Sequence, residues 1–265
     1  MAGETRAAKA KSIFKHESLT VNGIKTAVMA AGQGEPLVFF HGGGVFSGFD
    51  FALPWTERFK VYIPFHPGFG DSDDDSEIVD MHDYVLHYLE LFDQLKLDRG
   101  LRLVGFSLGG WMAAEFAMEH RRRLHKLVLV APAGLRVKEQ PGTDLFRIAP
   151  EQVPAYLVHD LKVIERHLPK EPDADFLAAR YREMTAIARI AWERPYSHRL
   201  ARWLHRINVP TLMVWGEQDR LLPHQQAASW AKLIPGARVQ TFGNAGHLVL
   251  DENPEAVKAV AEFLT

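Results

Sequence analysis

The chain has no cysteine among its 265 residues. Disulfides, thiolate metal sites and a cysteine nucleophile are therefore excluded. It also lacks any run of the about 18–20 apolar residues that a membrane-spanning helix needs. Residues 1–11 are rich in Ala and Lys but have no apolar core of the kind a secretory signal carries. A dominant charge is missing as well: 31 basic and 33 acidic side chains leave a formal net charge of -2. No overall basic field points to nucleic acid or an anionic membrane as partner. The 13 histidines show no metal-binding spacing, for there is no His-Glu-x-x-His, and His82 and His87 do not share a helical face. These absences imply a soluble, cytoplasmic protein with mobile first residues. No metal or other cofactor is expected.

What is present is an ordinary globular composition, 47% hydrophobic and 24% charged, enough to bury a sizeable core. Asn22-Gly23 between apolar segments at 13–19 and 24–30 is a hairpin signal. Short apolar runs at 36–40, 59–63, 101–104, 125–130, 211–215 and 239–242 read as buried strands. Asp80 reads as the N-cap of a helix reaching Leu95, with Met81, Tyr84, Val85, Tyr88, Leu89 and Phe92 on one face. Strands alternating with helices predict an α/β fold: a mostly parallel, twisted sheet covered by helices on both faces. Over 134–208 the strand runs give way to helical periodicity, Pro breaks and charge, at 153–168, 175–192 and 197–207. This predicts a helical cap at 134–208 inserted into a core made of 1–133 and 209–265. The acidic run at 71–77 reads as a solvated loop.

The most specific segment is Gly105-Phe106-Ser107-Leu108-Gly109. It follows a strand-like run and opens an Ala-rich stretch from Trp111 to Met118. Strand, Gly-x-Ser-x-Gly and helix together make a nucleophile elbow. Upstream, another strand runs into His41-Gly42-Gly43-Gly44; downstream, two more lead to Gly216-Glu217-Gln218-Asp219-Arg220 and Gly243-Asn244-Ala245-Gly246-His247. Each group stands just past the end of a predicted strand, where sites in parallel sheets lie.

A serine hydroxyl is a poor nucleophile at neutral pH and needs a base, which in turn needs an orienting acid. Ser107, His247 and Asp219 are the candidates for those three roles, with Glu217 the competing acid. Backbone N–H groups of Leu108 and Gly43 are the candidates for an oxyanion hole, where losing one donor typically costs about 2.7–4 kcal/mol of barrier. Gly42, Gly44, Phe106 and Trp111 are assigned to substrate binding. Phe46, Phe49, Met184, Trp192 and Trp203 are further candidates for an apolar acyl or aryl pocket.

The order of oxyanion loop, Ser, Asp and His resembles the α/β-hydrolase family, whose triad runs Ser…Asp/Glu…His. The resemblance covers nearly the whole chain outside 134–208 and implies the α/β-hydrolase fold. In that family the acid stands just before a short apolar-Pro segment, as in Asp219-Arg220-Leu221-Leu222-Pro223. The other common acid position, after the strand ending near Val130, holds Ala131, Pro132 and Ala133, none of which can serve. The chain departs from the pattern at Phe65, where an acidic residue usually precedes Pro67-Gly68 by two positions. His66 beside it is expected to be structural, and His41 to orient the oxyanion loop.

The resemblance implies a serine hydrolase that cleaves a small or medium carboxylic ester through an acyl-enzyme, with a small-molecule ester or acyl substrate as its partner. It leaves open a carbon–carbon bond hydrolase of the meta-cleavage-product type and a perhydrolase or acyltransferase. A catalytically silent ligand-binding protein is the reading from a different class, since fold does not fix function. Haloalkane dehalogenases and epoxide hydrolases place a carboxylate at the elbow, which Ser107 argues against.

Overall fold

In the computed structural model, residues 13–45, 48–165, 167–169 and 171–265 are described; the expectation for the first ten residues and the one for Phe46 lie outside them. Strands β1 (Lys15–Val21) and β2 (Ile24–Ala31) form the expected antiparallel hairpin, and Asn22 and Gly23 at its turn both take positive φ. The next strands are β3 (Glu35–Phe40), β4 (Phe59–Pro64), β5 (Leu101–Phe106), β6 (Leu124–Val130), β7 (Thr211–Gly216) and β8 (Arg238–Phe242). They form one sheet in the order β1-β2-β4-β3-β5-β6-β7-β8, parallel from β4 to β8, with β2 antiparallel to both its neighbours.

The apolar run of β3 is buried on both faces, as a central parallel strand requires. Val38 and Phe40 enter one core cluster and Leu37 and Phe39 the other, which is the period-2 alternation of a strand separating two layers. From β3 the chain crosses to β4 on one side and then returns to β5 on the other. The crevice at the carboxyl ends of β3 and β5 is therefore the topological switch point, the favoured position for a site in such a sheet.

Helices cover both faces. Helix α1 (Met81–Gln94) starts with a capping box: the Asp80 carboxylate accepts the N–H groups of His82 and Asp83, and Asp83 accepts that of Asp80. Helix α2 (Leu108–His120) is buried along most of its length against β5 and β6.

Between β6 and β7 the chain leaves the sheet for α3 (Val153–Leu157), α4 (Leu161–Glu165), α5 (Ala174–Ala191) and α6 (His198–Trp203). Among its described residues this insertion adds no strand, only an isolated bridge between Gly134 and Tyr196. The single helix expected over 153–168 is broken in two. Val158 is extended (φ -129, ψ 155), and Asp160 starts the second piece by accepting the Lys162 N–H at 3.0 Å. The insertion is tied to the core by Arg189 to Asp74 and by Arg199 to Glu115. Asp74 thus lies in an ion pair and not in a merely solvated acidic loop. The Arg189 guanidinium hydrogen-bonded to it holds its carboxyl below the usual range.

After β7 come α7 (Gln226–Leu233), β8, α8 (Val249–Glu252) and α9 (Pro254–Leu264). No helix among the described residues is long and apolar enough to cross a membrane.

Candidate active site

Ser107 sits between β5 and α2 with φ 52 and ψ -114, a conformation a non-glycine residue adopts only when its surroundings enforce it. The enforcing bonds are present. Its N–H donates to the Val130 carbonyl at 2.9 Å, and its own carbonyl accepts from Trp111 at 3.1 Å and Ala133 at 3.0 Å. Gly109 closes the turn. A Cβ there would lie 2.3 Å from the carbonyl oxygens of Phe40 and His41, so only glycine lets α2 start against the end of β3.

Three segments distant in sequence bring their polar side chains together at this point. The Ser107 hydroxyl is 2.9 Å from His247 Nε2, and His247 Nδ1 is 2.8 Å from Asp219 Oδ2. A carboxylate only accepts, so Nδ1 carries the proton and Nε2 presents its lone pair to the serine. Asp219 is held in turn: its Oδ1 accepts the N–H groups of Leu221 at 2.9 Å and Leu222 at 2.8 Å. All three residues are buried. The competing acid, Glu217, instead accepts the Thr241 hydroxyl at an exposed position.

The loop after β3 lies beside the serine. A Cβ on Gly42 would come within 3.4 Å of Ser107 Cβ, and one on Gly43 would meet Ile187 Cδ1 of α5 at 2.9 Å. Gly44 follows, partly buried. Behind the loop, His41 Nδ1–H donates to the Gly42 carbonyl at 2.7 Å while Nε2 accepts the His66 N–H at 3.0 Å. His66 Nε2–H donates to the His41 carbonyl at 2.8 Å, and its Nδ1 accepts the Tyr88 hydroxyl. Burial drives both imidazoles toward the neutral form, His41 down to about 3 and His66 well below the ordinary value. His66 is thus structural, as the sequence suggested, and its partner is the residue that holds the glycine loop.

The aromatic candidates scatter. The ring of Phe106 lies 4.9 Å from that of His247 and packs against an apolar cluster of Val158, Ile164 and Leu248. Trp111 is buried, with its ring against Gly134 and its Nε1–H donating to Glu115 at 3.3 Å. Phe49 packs on Phe39, Phe51 and Phe65 in the core. Trp192 is 67% exposed, and Met184 and Trp203 are exposed too; these three do not lie in a buried pocket. Sequence reasoning missed two residues beside the site, Ile187 and Glu252, the second of which accepts the N–H of Gly246, next to His247, at 2.6 Å. Nothing but the tertiary fold brings Ile187 to Gly43. Glu252, five residues beyond the candidate base, carried no motif of its own.

Fold and site define an α/β protein with a serine at a strained strand–helix turn and a His–Asp pair in contact with it. Residues 37–260 match the model of the alpha/beta hydrolase family, and the chain belongs to that family. It is 27% identical to the 2-hydroxy-6-oxo-2,4-heptadienoate hydrolase of Pseudomonas putida, over 91% of this chain and 93% of that protein. It is 29% identical to the pimeloyl-[acyl-carrier protein] methyl ester esterase of Aeromonas hydrophila, over 90% and 98%. The crystal structure of CarC, a serine hydrolase involved in carbazole degradation, superposes with a TM-score of 0.77 at 22% identity, covering 95% of this chain and 98% of that one.

Proposed function

We propose that the protein is a serine hydrolase that cleaves a small or medium carboxylic ester through an acyl-enzyme. The observation carrying this reading is the continuous hydrogen-bond line from Ser107 Oγ through His247 to Asp219, 2.9 and 2.8 Å long. His247 takes the serine proton as Oγ attacks the acyl carbon, then returns it to the leaving alcohol. In the second half-reaction it takes a proton from water as the oxygen attacks the acyl-serine, then gives that proton to Ser107 Oγ as the carboxylic acid leaves. Asp219 fixes the imidazole tautomer and stabilises the imidazolium formed in each half.

The negative oxygen of the tetrahedral intermediate is met by two backbone donors, Leu108 N–H and Gly43 N–H. Leu108 is the first residue of α2, so its N–H has no acceptor within the helix, and the helix N-terminus favours negative charge. Gly43 N–H follows from peptide planarity. In a trans peptide the C=O and the next N–H point in opposite directions. The Gly42 carbonyl is turned to the buried His41 ring, which sends the Gly43 N–H the other way. Gly42 and Gly44 let the substrate approach this backbone.

The insertion 134–208 acts as the cap over this site. Ile187 against Gly43, and Val158 against Phe106 and Leu248, give it an apolar underside suited to an uncharged acyl group. Trp111 supports the wall from behind. The heptadienoate hydrolase relative favours a second reading, in which the same groups hydrolyse a carbon–carbon bond in a dienoic ring-fission product.

The test is hydrolysis of p-nitrophenyl esters, acetate to decanoate, by the wild type and Ser107→Ala. Ester turnover that vanishes in Ser107→Ala is the expected result. If no ester turns over but a dienoic ring-fission product does, the carbon–carbon reading replaces the ester reading. Turnover that survives Ser107→Ala overturns both.

A further inference from the structure

The break between α3 and α4 has an unexpected partner. Where the helix stops, the N–H groups of His159 and Asp160 lose their helical acceptors, and both donate to Glu252 Oε1, at 2.7 and 2.9 Å. The other oxygen, Oε2, accepts the N–H of Gly246 at 2.6 Å. Gly246 immediately precedes His247. The residue immediately after it, Leu248, donates its N–H to the carbonyl of Leu157, the last residue of α3, at 2.8 Å. Both neighbours of the proposed base are therefore tied to the same short stretch of the insertion. The contact is backbone on backbone: a Cβ on Gly246 would lie 2.8 Å from the Val158 carbonyl carbon and from the His159 nitrogen.

We propose that Glu252 is a positioning residue that locks the 157–160 segment of the insertion to the loop carrying His247, so that the base is aligned only while that segment is seated. The inference rests on the triad reading above. A carboxylate accepting three N–H groups makes charge-assisted bonds, which are shorter and stronger than neutral ones. Glu252 lies in α8, on the core side, so it adds to the Leu248–Leu157 backbone bond a charged link between the 157–160 segment and the loop carrying His247. Misplacing a reacting group by about 1 Å can cost about 10²-fold in rate. Seating of the insertion, including its displacement by an entering substrate, is thereby transmitted to the base without any residue of the insertion reaching the reacting atoms.

The test compares Glu252→Ala and Glu252→Gln with wild type and Ser107→Ala in the full-length chain, using p-nitrophenyl acetate and titration of reactive serine with a p-nitrophenyl phosphonate. The expected result is a kcat lowered about 10- to 100-fold in Glu252→Ala, with KM within about threefold. Glu252→Gln keeps one acceptor oxygen and should fall between the two. The pseudo-first-order rate of serine phosphonylation should drop in parallel, because it needs the same aligned base. A purely structural role would lower the thermal midpoint and the titratable fraction but leave kcat per titrated serine unchanged, and that result overturns the proposal.

His159→Pro is the second variant, for use if Glu252→Ala fails to fold. It deletes one N–H donor from the insertion side, and Val158 before it already has the extended backbone that proline demands of its predecessor. It should lower kcat in the same way, and wild-type kcat in this variant would count equally against the proposal. If Ser107→Ala retains turnover, the triad reading itself has failed. If Ser107→Ala is inactive and Glu252→Ala has wild-type kcat, the coupling alone is wrong.

Discussion

His66 packs against His41 with ring centroids 3.6 Å apart, and two hydrogen bonds join them: His66 N–H to His41 Nε2 and His66 Nε2–H to the His41 carbonyl. Neither imidazole faces a reacting group. Together they fix the His41 ring, which holds the Gly42 carbonyl and hence the direction of the Gly43 N–H.

Replacing His66 by Phe removes the Nε2–H donor to the His41 carbonyl and the acceptor for Tyr88. The loop peptide then has an alternative orientation available. Losing one oxyanion donor outright costs about 10²–10³ in kcat, so kcat should fall about tenfold or more, with little change in KM. Tyr88→Phe is the milder variant. It strands the His66 Nδ1 acceptor, costs about 1–3 kcal/mol of stability, and should lower kcat less. Steady-state kinetics on p-nitrophenyl butyrate, with a denaturation curve for each variant, measures both; wild-type kcat in His66→Phe would separate this histidine pair from catalysis.

Asp219 and Glu217 stand two residues apart and have different partners. Asp219→Asn keeps an oxygen for the Leu221 and Leu222 N–H groups but cannot keep the acceptor-only contact to His247 Nδ1 at the same time. In a serine triad this change costs about 10⁴ in kcat through the wrong imidazole tautomer. Glu217→Gln affects only the Thr241 hydroxyl contact and should leave kcat within about twofold, since an exposed contact of this kind is worth little. The two pH–rate profiles decide the matter. If Glu217→Gln is the crippled variant, the acid has been misassigned.

The elbow, the sheet and the Ser–Asp–His order were legible in the sequence because each depends on local rules. Gly109 must be glycine where a helix starts against a strand, and the run from Pro36 to Phe40 must be buried on both faces. Asp80 capped its helix as its position predicts. What stayed hidden depends on partners distant in sequence. Periodicity carried one helix across 153–168 because His159 and Asp160 do not themselves forbid it; the break is stabilised by Glu252, about ninety residues further on. The exposed Trp192 and Trp203 show the converse. Aromatic residues in a helical segment reveal an apolar face, but not whether that face meets the core, a substrate or solvent.

Acid stability should follow the buried imidazoles. Burial lowers His41 to about 3 and His87 to about 4, and lowers His66 well below the ordinary value. The ordinary histidine value in an unfolded chain is about 6.5. Between these limits the unfolded chain binds more protons than the folded one, so stability falls as pH falls. The contribution is fully present above about 6.5 and is lost progressively toward about 4 and then about 3. For His41 alone the loss between pH 7 and pH 5 is about 2 kcal/mol. Glu183 acts in the opposite sense. Burial raises it to about 6 against the pull of Arg180, so its contribution favours the folded state in acid and is lost as pH rises through about 6. His120, also lowered by burial, and Glu115, also raised by it, add one group to each side. With four imidazoles against two carboxyls, the urea midpoint should drop clearly from pH 7 to pH 5. A flat or rising midpoint would show that the histidines are not held neutral.

Acyl-chain preference should be set by Ile187. It is the residue of α5 whose Cδ1 would meet a Cβ on Gly43 at 2.9 Å, so it bounds the space next to the proposed oxyanion donor. An acetyl group is too short to press on it, whereas a longer chain passing beneath the insertion must displace or avoid it. Ile187→Val removes one methylene and Ile187→Ala removes three carbons. Each methylene newly accommodated is worth about 0.8 kcal/mol of burial, or about fourfold in kcat/KM. The chain-length optimum on p-nitrophenyl esters should therefore move stepwise to longer acyl groups in the order wild type, Val, Ala, while kcat for acetate changes little. Ile187→Ala also leaves a cavity that costs about 2–5 kcal/mol, so the profiles should be compared well below its thermal midpoint. Ile187→Phe should shift the optimum the other way. If all four enzymes share one chain-length profile, the acyl chain does not run between Gly43 and α5, and the pocket opens on the Phe106 side of the serine instead.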